Sequence, residues 1–279
     1  MALFNLSSGT QLFYQDHDFT DPWSKPEAVL LMHGNFESSD AWYRWVPVLA
    51  RHLRVIRADM RGFGSSTPMP RDFPWTLDLI VDDFTRLLDH LGVARCHVVG
   101  AKIGGTIARV FAARRPERTS TLTVVSSPPG TRDDAATGVA KRLDALEKHG
   151  AEHYVRQNMA KRLGSSFPAE GVEWWTRYMG RSPVSTQIGF ASLISFADIT
   201  PDIRRIRCPT MVMTTDESAL ATVEATRGWQ QLIPGSELRV LEGNSYHPAV
   251  THAEECAQAT LEFIRRHGDA GRGANKIAN

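Results

Sequence analysis

Val98-Val99-Gly100-Ala101-Lys102-Ile103-Gly104-Gly105 is the stretch whose reading decides the fold. His97-Val98-Val99 is β-branched and apolar and predicts a strand, while residues 103–115 predict a helix that ends near Pro116. Glycines stand two residues either side of position 102, and they let the chain turn sharply from strand into helix without Cβ clashes. The residue at the apex of that turn is a lysine.

Working outward from the elbow, the same rhythm of strand and helix recurs. Upstream, Ala28-Val29-Leu30-Leu31-Met32 is a buried-type strand ending at His33-Gly34, and residues 53–58 form another ending at Asp59. Residues 40–51 between them read as helix. Residues 76–91 place Ile80, Phe84, Leu87, Leu88 and Leu91 at helical spacing, with Gly92 as the stop. Residues 2–6 and 11–15, separated by Ser7-Ser8-Gly9, predict an opening hairpin. Downstream, Leu122-Thr123-Val124-Val125 is a strand. From Pro128 to Arg207 the pattern is helical alone, with Val139, Leu143 and Leu146 on one face and a bulky Trp174-Trp175 pair. The alternation resumes with the strand at 210–213, a helix over 222–232, the strand at 238–241 and a closing helix over 253–266. Alternation of this kind implies a parallel sheet with helices on both faces. The expected organisation is an α/β core over 1–127 and 208–267, a helical cap over 128–207, and a frayed, small and polar tail over 268–279.

Composition bounds the function. The chain has 279 residues with 42% apolar and 23% charged, ordinary for a globular protein with a sizeable core. A formal net charge of +1 leaves no electrostatic footprint for nucleic acid or a membrane, so a small-molecule partner is expected. No segment reaches the length of a membrane span, and Met1-Ala2-Leu3-Phe4-Asn5-Leu6 lacks the basic stretch and apolar run of an export signal. Cys96, Cys208 and Cys256 are an odd, widely spaced set without metal or redox spacing, and a reduced cytoplasm is the simplest setting. No cofactor is expected, because no dinucleotide-type glycine loop and no cluster with metal-ligand spacing appear. A monomer or homodimer is expected.

Four motifs in chain order resemble the α/β-hydrolase family. The elbow at Lys102 is one, His33-Gly34-Asn35 is similar to the family's oxyanion loop, and Asp59-Met60-Arg61-Gly62-Phe63-Gly64-Ser65-Ser66 to its turn after the next strand. Gly243-Asn244-Ser245-Tyr246-His247-Pro248 is similar to its histidine loop. The resemblance covers nearly the whole chain and implies a mostly parallel eight-stranded sheet flanked by helices, with a helical cap insertion. It implies that His247 is a general base and that the backbone N–H groups of Ile103 and Asn35 point at an oxyanion, with the Asn35 side chain as a third donor. His33, Asp59 and Arg61 read as packing, turn and salt-bridge residues. The acid that orients His247 is expected at Asp216; Ser218 aligns by simple counting, and Glu217 and Glu224 are the other candidates. Phe36 and Tyr246 flank the catalytic loops and are expected to border the substrate, while Trp174, Trp175 and Tyr178 either line the pocket beneath the cap or form the cap's own core.

Lysine at the elbow departs from the family's serine, aspartate or cysteine. An acyl-lysine is an amide, a far poorer acyl donor than an ester, so acyl transfer through Lys102 would stall. One route left is attack by water activated by His247, with Lys102 positioning the water or stabilising the oxyanion of an ester, a lactone or a C–C bond next to a ketone. A second is Schiff-base chemistry, lyase or decarboxylase, through a neutral Lys102, which the helix N-terminus and a water-excluding cap would favour. A third is a non-catalytic ligand-binding protein, and a fourth is a position altered from an original serine or aspartate. The first expectation for the structure is therefore that His247 lies within reach of Lys102 Nζ, directly or through one water.

Overall fold

The protein is described from a computed structural model over residues 1–7, 9–128 and 135–268. The expected tail beyond Gly268 lies outside the described residues. Strands β1 (Ala2–Ser7) and β2 (Thr10–His17) form the opening hairpin, followed by β3 (Ala28–Met32). The stretch expected as one helix over 40–51 is instead a 3-10 turn, Ser39–Trp42, and a short α1 (Val46–Leu49). Ser38 caps the first through Asp40 N, and Pro47 at the start of the second favours a new helix start over continuation. Next come β4 (Arg54–Ala58), α2 (Leu77–His90), β5 (Cys96–Ala101), α3 (Ile103–Arg114) and β6 (Thr119–Val125). Thr76 caps α2 by accepting from Leu79 N, so the helix begins one residue later than expected.

Between β6 and the next strand the described chain is helical: α4 (Ala135–Arg156), α5 (Met159–Leu163), α6 (Ala169–Gly180), α7 (Val184–Ile194) and α8 (Thr200–Ile203). Strand β7 (Thr210–Thr215), α9 (Val223–Gln230), β8 (Glu237–Leu241), α10 (Pro248–Thr251) and α11 (Ala253–His267) complete the core. The eight strands lie in the order β1-β2-β4-β3-β5-β6-β7-β8. The two pairings that involve β2 are antiparallel, and the pairings from β4 to β8 are parallel.

The central strands are buried on both sides, and the alternation of side chains sorts their residues between two cores. Leu30 and Met32 of β3 pack with Phe84 and Leu88 of α2 and with Ile107 and Phe111 of α3. Val29 and Leu31 pack on the other face with Trp42, Trp45, Leu261 and Phe263. A third core belongs to the helical insertion, where Leu146, Val155, Leu163, Trp175 and Met179 meet Phe36 and Val250 from the sheet's loops. The insertion therefore sits over the ends of β3, β5 and β7, where the elbow and the loops that follow β3 and β8 converge.

Candidate active site

Lys102 occupies the apex between β5 and α3 with φ +59° and ψ −125°, a conformation that L-residues rarely adopt. The turn is held by Lys102 N donating to Val125 O (3.2 Å) and Gly105 N donating to Lys102 O (3.1 Å). Its glycines are there for room: a Cβ on Gly100 would collide with the backbone oxygen of Gly104, and one on Gly104 with those of Met32 and His33. The obstructing atoms are backbone, so they cannot swing aside. Gly104→Ala is expected to destabilise the fold by at least about 3 kcal/mol, read from urea unfolding. A variant with an unchanged urea midpoint would show that α3 can back away from β3.

The Lys102 side chain is buried, with Nζ donating to Tyr246 O at 3.0 Å and lying 3.7 Å from the centroid of the Tyr246 ring. It borders a cavity of ≈ 170 Å³ lined also by Asn35, Phe36, Ile103, Arg142, Tyr154, Arg162, Phe190, Leu220 and Tyr246. The structure thus brings Lys102, Asn35, Ile103, Phe36 and Tyr246 to one cavity. Phe36 reaches it from a backbone with φ +65° and stacks on Tyr154 at 5.5 Å. The Asn35 side-chain oxygen accepts from Phe36 N (3.1 Å), so it helps shape the loop.

Trp174 is not among the residues lining that cavity. It is 48% exposed, stacks on Tyr178 at 5.1 Å, and borders an outer groove with Asp40, Glu170, Glu173 and Arg177. Its neighbour Trp175 is the one turned inward, 6.0 Å from the His247 ring between centroids. On an α-helix adjacent residues point about 100° apart, so only one of the pair can face the core.

His247 follows β8 and is buried, with Nε2 donating to Glu37 Oε1 at 2.8 Å. Its Nδ1 has no hydrogen-bond partner among the described residues. The expected acid is therefore corrected. Asp216 uses its carboxylate on Gly243 N (2.8 Å) at the foot of the histidine loop, and the carboxylate on the imidazole is Glu37. Glu37 lies three residues beyond Gly34, whose N–H donates to Oε2 (3.0 Å), while Arg162 Nη1 lies 3.3 Å from Oε1. Sequence reading missed Glu37 because a single glutamate in a loop carries no spacing signal. The available hint was a charge one residue beyond Phe36, close to the expected oxyanion loop.

The histidine loop is tied to the insertion as well as to the sheet. Tyr246 N donates to Lys161 O (3.4 Å), Ser245 Oγ to Arg162 O (2.8 Å), and Thr215 Oγ1 at the end of β7 to Ser245 O (2.5 Å). Movement of α5 would therefore move His247. His33, Asp59 and Arg61 have the structural roles expected of them. His33 Nε2 accepts from Met60 N, Asp59 accepts from Ser39 N and Ser65 N, and Arg61 pairs with Asp83.

Electrostatics separate the pair's protonation states. Burial alone would raise the Glu37 carboxyl, but the charge and hydrogen bond of His247, then the charges of Arg162 and His33, outweigh it and hold it down to about 2. Burial lowers His247, and the charges of Lys102 and Arg162 lower it further against the pull of Glu37. At neutral pH the pair is an ionised carboxylate and a neutral imidazole whose Nδ1 carries the free lone pair. Among the described residues no group of His, Cys, Asp and Glu is arranged to hold a metal ion, and no helix is long and apolar enough to cross a membrane.

The family model for the alpha/beta hydrolase fold matches residues 27–251. The chain is 29% identical over 231 residues to the 2-hydroxy-6-oxo-2,4-heptadienoate hydrolase of Pseudomonas putida, covering 76% of this chain and 79% of that one. It is 25% identical over 287 residues to the non-heme chloroperoxidase CPO-A1 of Kitasatospora aureofaciens, covering 95% of this chain and all of the other. Its fold is similar to that of the enol-lactonase from Burkholderia xenovorans LB400, with a TM-score of 0.81 at 20% identity over 92% of this chain and 97% of that one. The family match spans most of the chain, so the chain belongs to the alpha/beta hydrolase fold family and is an enzyme of the hydrolase class.

Proposed function

We propose that the enzyme hydrolyses a small carbonyl compound, an ester, a lactone or a C–C bond next to a ketone, by direct attack of water. The observation that carries this reading is the placement of Lys102 Nζ. It sits against the Tyr246 carbonyl and over the Tyr246 ring face, contacts that suit an ammonium, in the same cavity as Asn35 and Ile103. In this scheme Nδ1 of neutral His247 takes a proton from water as its oxygen adds to the carbonyl carbon. The carbonyl oxygen becomes an oxyanion facing the N–H groups of Asn35 and Ile103 and the Lys102 charge. Collapse of the adduct expels the alkoxide or carbanion, which receives the proton from His247. Glu37 holds the ring in the tautomer this requires and stabilises the imidazolium while it exists. His247 is buried and is not among the residues lining the cavity, so the scheme requires the histidine loop to open and admit water to Nδ1.

The cation role and the imine role of Lys102 separate in one experiment. Lys102→Arg keeps the charge and is expected to retain about a tenth to a hundredth of the wild-type rate, whereas Lys102→Met loses more. Borohydride added during turnover of esters, lactones and 1,3-dicarbonyl compounds is expected to leave the Lys102 peptide unmodified. A reduced adduct on that peptide would replace this mechanism with a Schiff-base one, and no turnover of any of the three classes would remove the hydrolytic reading itself.

A further inference from the structure

The cavity beside Lys102 is lined by three cations, Lys102, Arg142 and Arg162, and by no carboxylate among its described residues. Arg162 is 8% exposed and spends Nη1 on Glu37, while its Nε is buried without a hydrogen-bond partner among the described residues. Among the described residues Arg142 reaches only Ser195 Oγ, at 3.3 Å, and its Nε is likewise buried without a partner there. Buried guanidinium N–H groups left unpaired are costly, and two guanidiniums facing one space repel each other. Burial, and then the Arg162 charge, lower Arg142 below its usual value, which registers that repulsion. Glu37 can offset only part of this, because its carboxylate is shared with His247 and Gly34. Among the described residues an excess of positive charge is therefore left facing the cavity.

We infer that this cavity recognises a substrate carboxylate, gripped by the guanidiniums of Arg142 and Arg162, and that the protein's substrates are small organic acids. Guanidinium N–H groups in a fork match a carboxylate's two oxygens, and such charge-assisted bonds are among the strongest available to a small ligand. Phe36, Ile103, Phe190 and Leu220 form the apolar part of the same wall and would take the ligand's carbon chain, which favours an organic acid over inorganic anions. Lys102 then remains for the carbonyl oxygen, so one molecule would present its carboxylate to the arginines and its reacting carbonyl to the elbow. The inference rests on the hydrolase reading only in taking this cavity as the substrate's.

The test reads binding without turnover. Calorimetric titration with 4-oxopentanoate is expected to give an affinity at least about tenfold above that for the neutral 4-oxopentanamide. Raising the salt concentration should weaken the acid and leave the amide unchanged. Arg142→Gln is expected to abolish the preference, the acid's affinity falling to that of the amide, and Arg142→Lys to restore part of it. A urea-unfolding midpoint equal to the wild type's shows that the variant is folded. Equal affinities in the wild type, no detectable binding of the acid, or a preference that survives Arg142→Gln would overturn the inference. Competition by inorganic phosphate as effective as that by butanoate would overturn its organic part. Turnover of neutral esters without any preference for acids would leave the hydrolase reading standing alone, and acid-selective binding without turnover would leave the anion site standing alone.

Discussion

His247→Ala is expected to lower the turnover number at least about a hundredfold, with little change in KM, on whichever ester, lactone or diketone the wild type hydrolyses. The imidazole acts only as the water's proton leaves, so its removal raises the barrier without removing a contact that holds the substrate. Burial keeps the ring neutral and Glu37 holds its Nε2–H, so Nδ1 is the atom whose loss is measured. The wild-type rate should accordingly fall as pH drops and the imidazole takes up a proton, and this acid limb should vanish in the variant. Steady-state kinetics from pH 5 to about pH 8 decide it. Turnover that persists in His247→Ala would mean that another group takes the proton.

Glu37→Gln is the second large effect, and it acts on both rate and stability. The carboxylate is fully buried and faces His247, Arg162 and Gly34 N–H at once, so replacing it by an amide leaves the Arg162 charge without its counter-ion. Breaking a buried pair of this kind costs about 3–5 kcal/mol. The pH dependence has a definite sign. The folded carboxyl titrates near 2 against 4.5 when unfolded, so its stabilisation is complete above about pH 4.5 and is lost as pH falls toward 2. The depression of His247 acts in the same direction, its contribution being lost as pH falls below its ordinary value of 6.5. Urea unfolding followed from pH 7 down to pH 3 should show wild-type stability falling steeply through this range. The Glu37→Gln curve should start lower and fall less steeply below about pH 4.5. Parallel curves for the two proteins would mean that Glu37 is not the group linking acid to unfolding.

Local patterns carried the sheet and not the pair at its centre. The apolar run at 28–32, the helical spacing from Ile80 to Leu88 and the strand–glycine–helix passage around Lys102 are each encoded within about a dozen residues, and each forms where its pattern places it. Residues 40–51 formed two short helical turns because a proline start and a serine cap, both local, outweighed overall composition. Trp174 and Trp175 show the limit of composition, since adjacent and identical side chains took the outer groove and the inner core respectively.

What the sequence by itself determined is the order of strands and helices, the elbow with lysine at its apex, and the loops that supply Asn35, Ile103, Tyr246 and His247. These follow from periodicity, glycine placement and motif order, all of which act over short separations. Tertiary structure alone decided the carboxylate partner of His247, because Glu37 is 210 residues away and meets it only when β3 and β8 have been laid into one sheet and the helical insertion has closed over both. Asp216, the acid expected from the sequence, accepts instead from Gly243 N. Arg142 and Arg162 lie on α4 and α5 of the insertion, and nothing local marks them as neighbours of Lys102. Which charges share a buried space depends on how separate elements pack, and packing is a property of the whole chain.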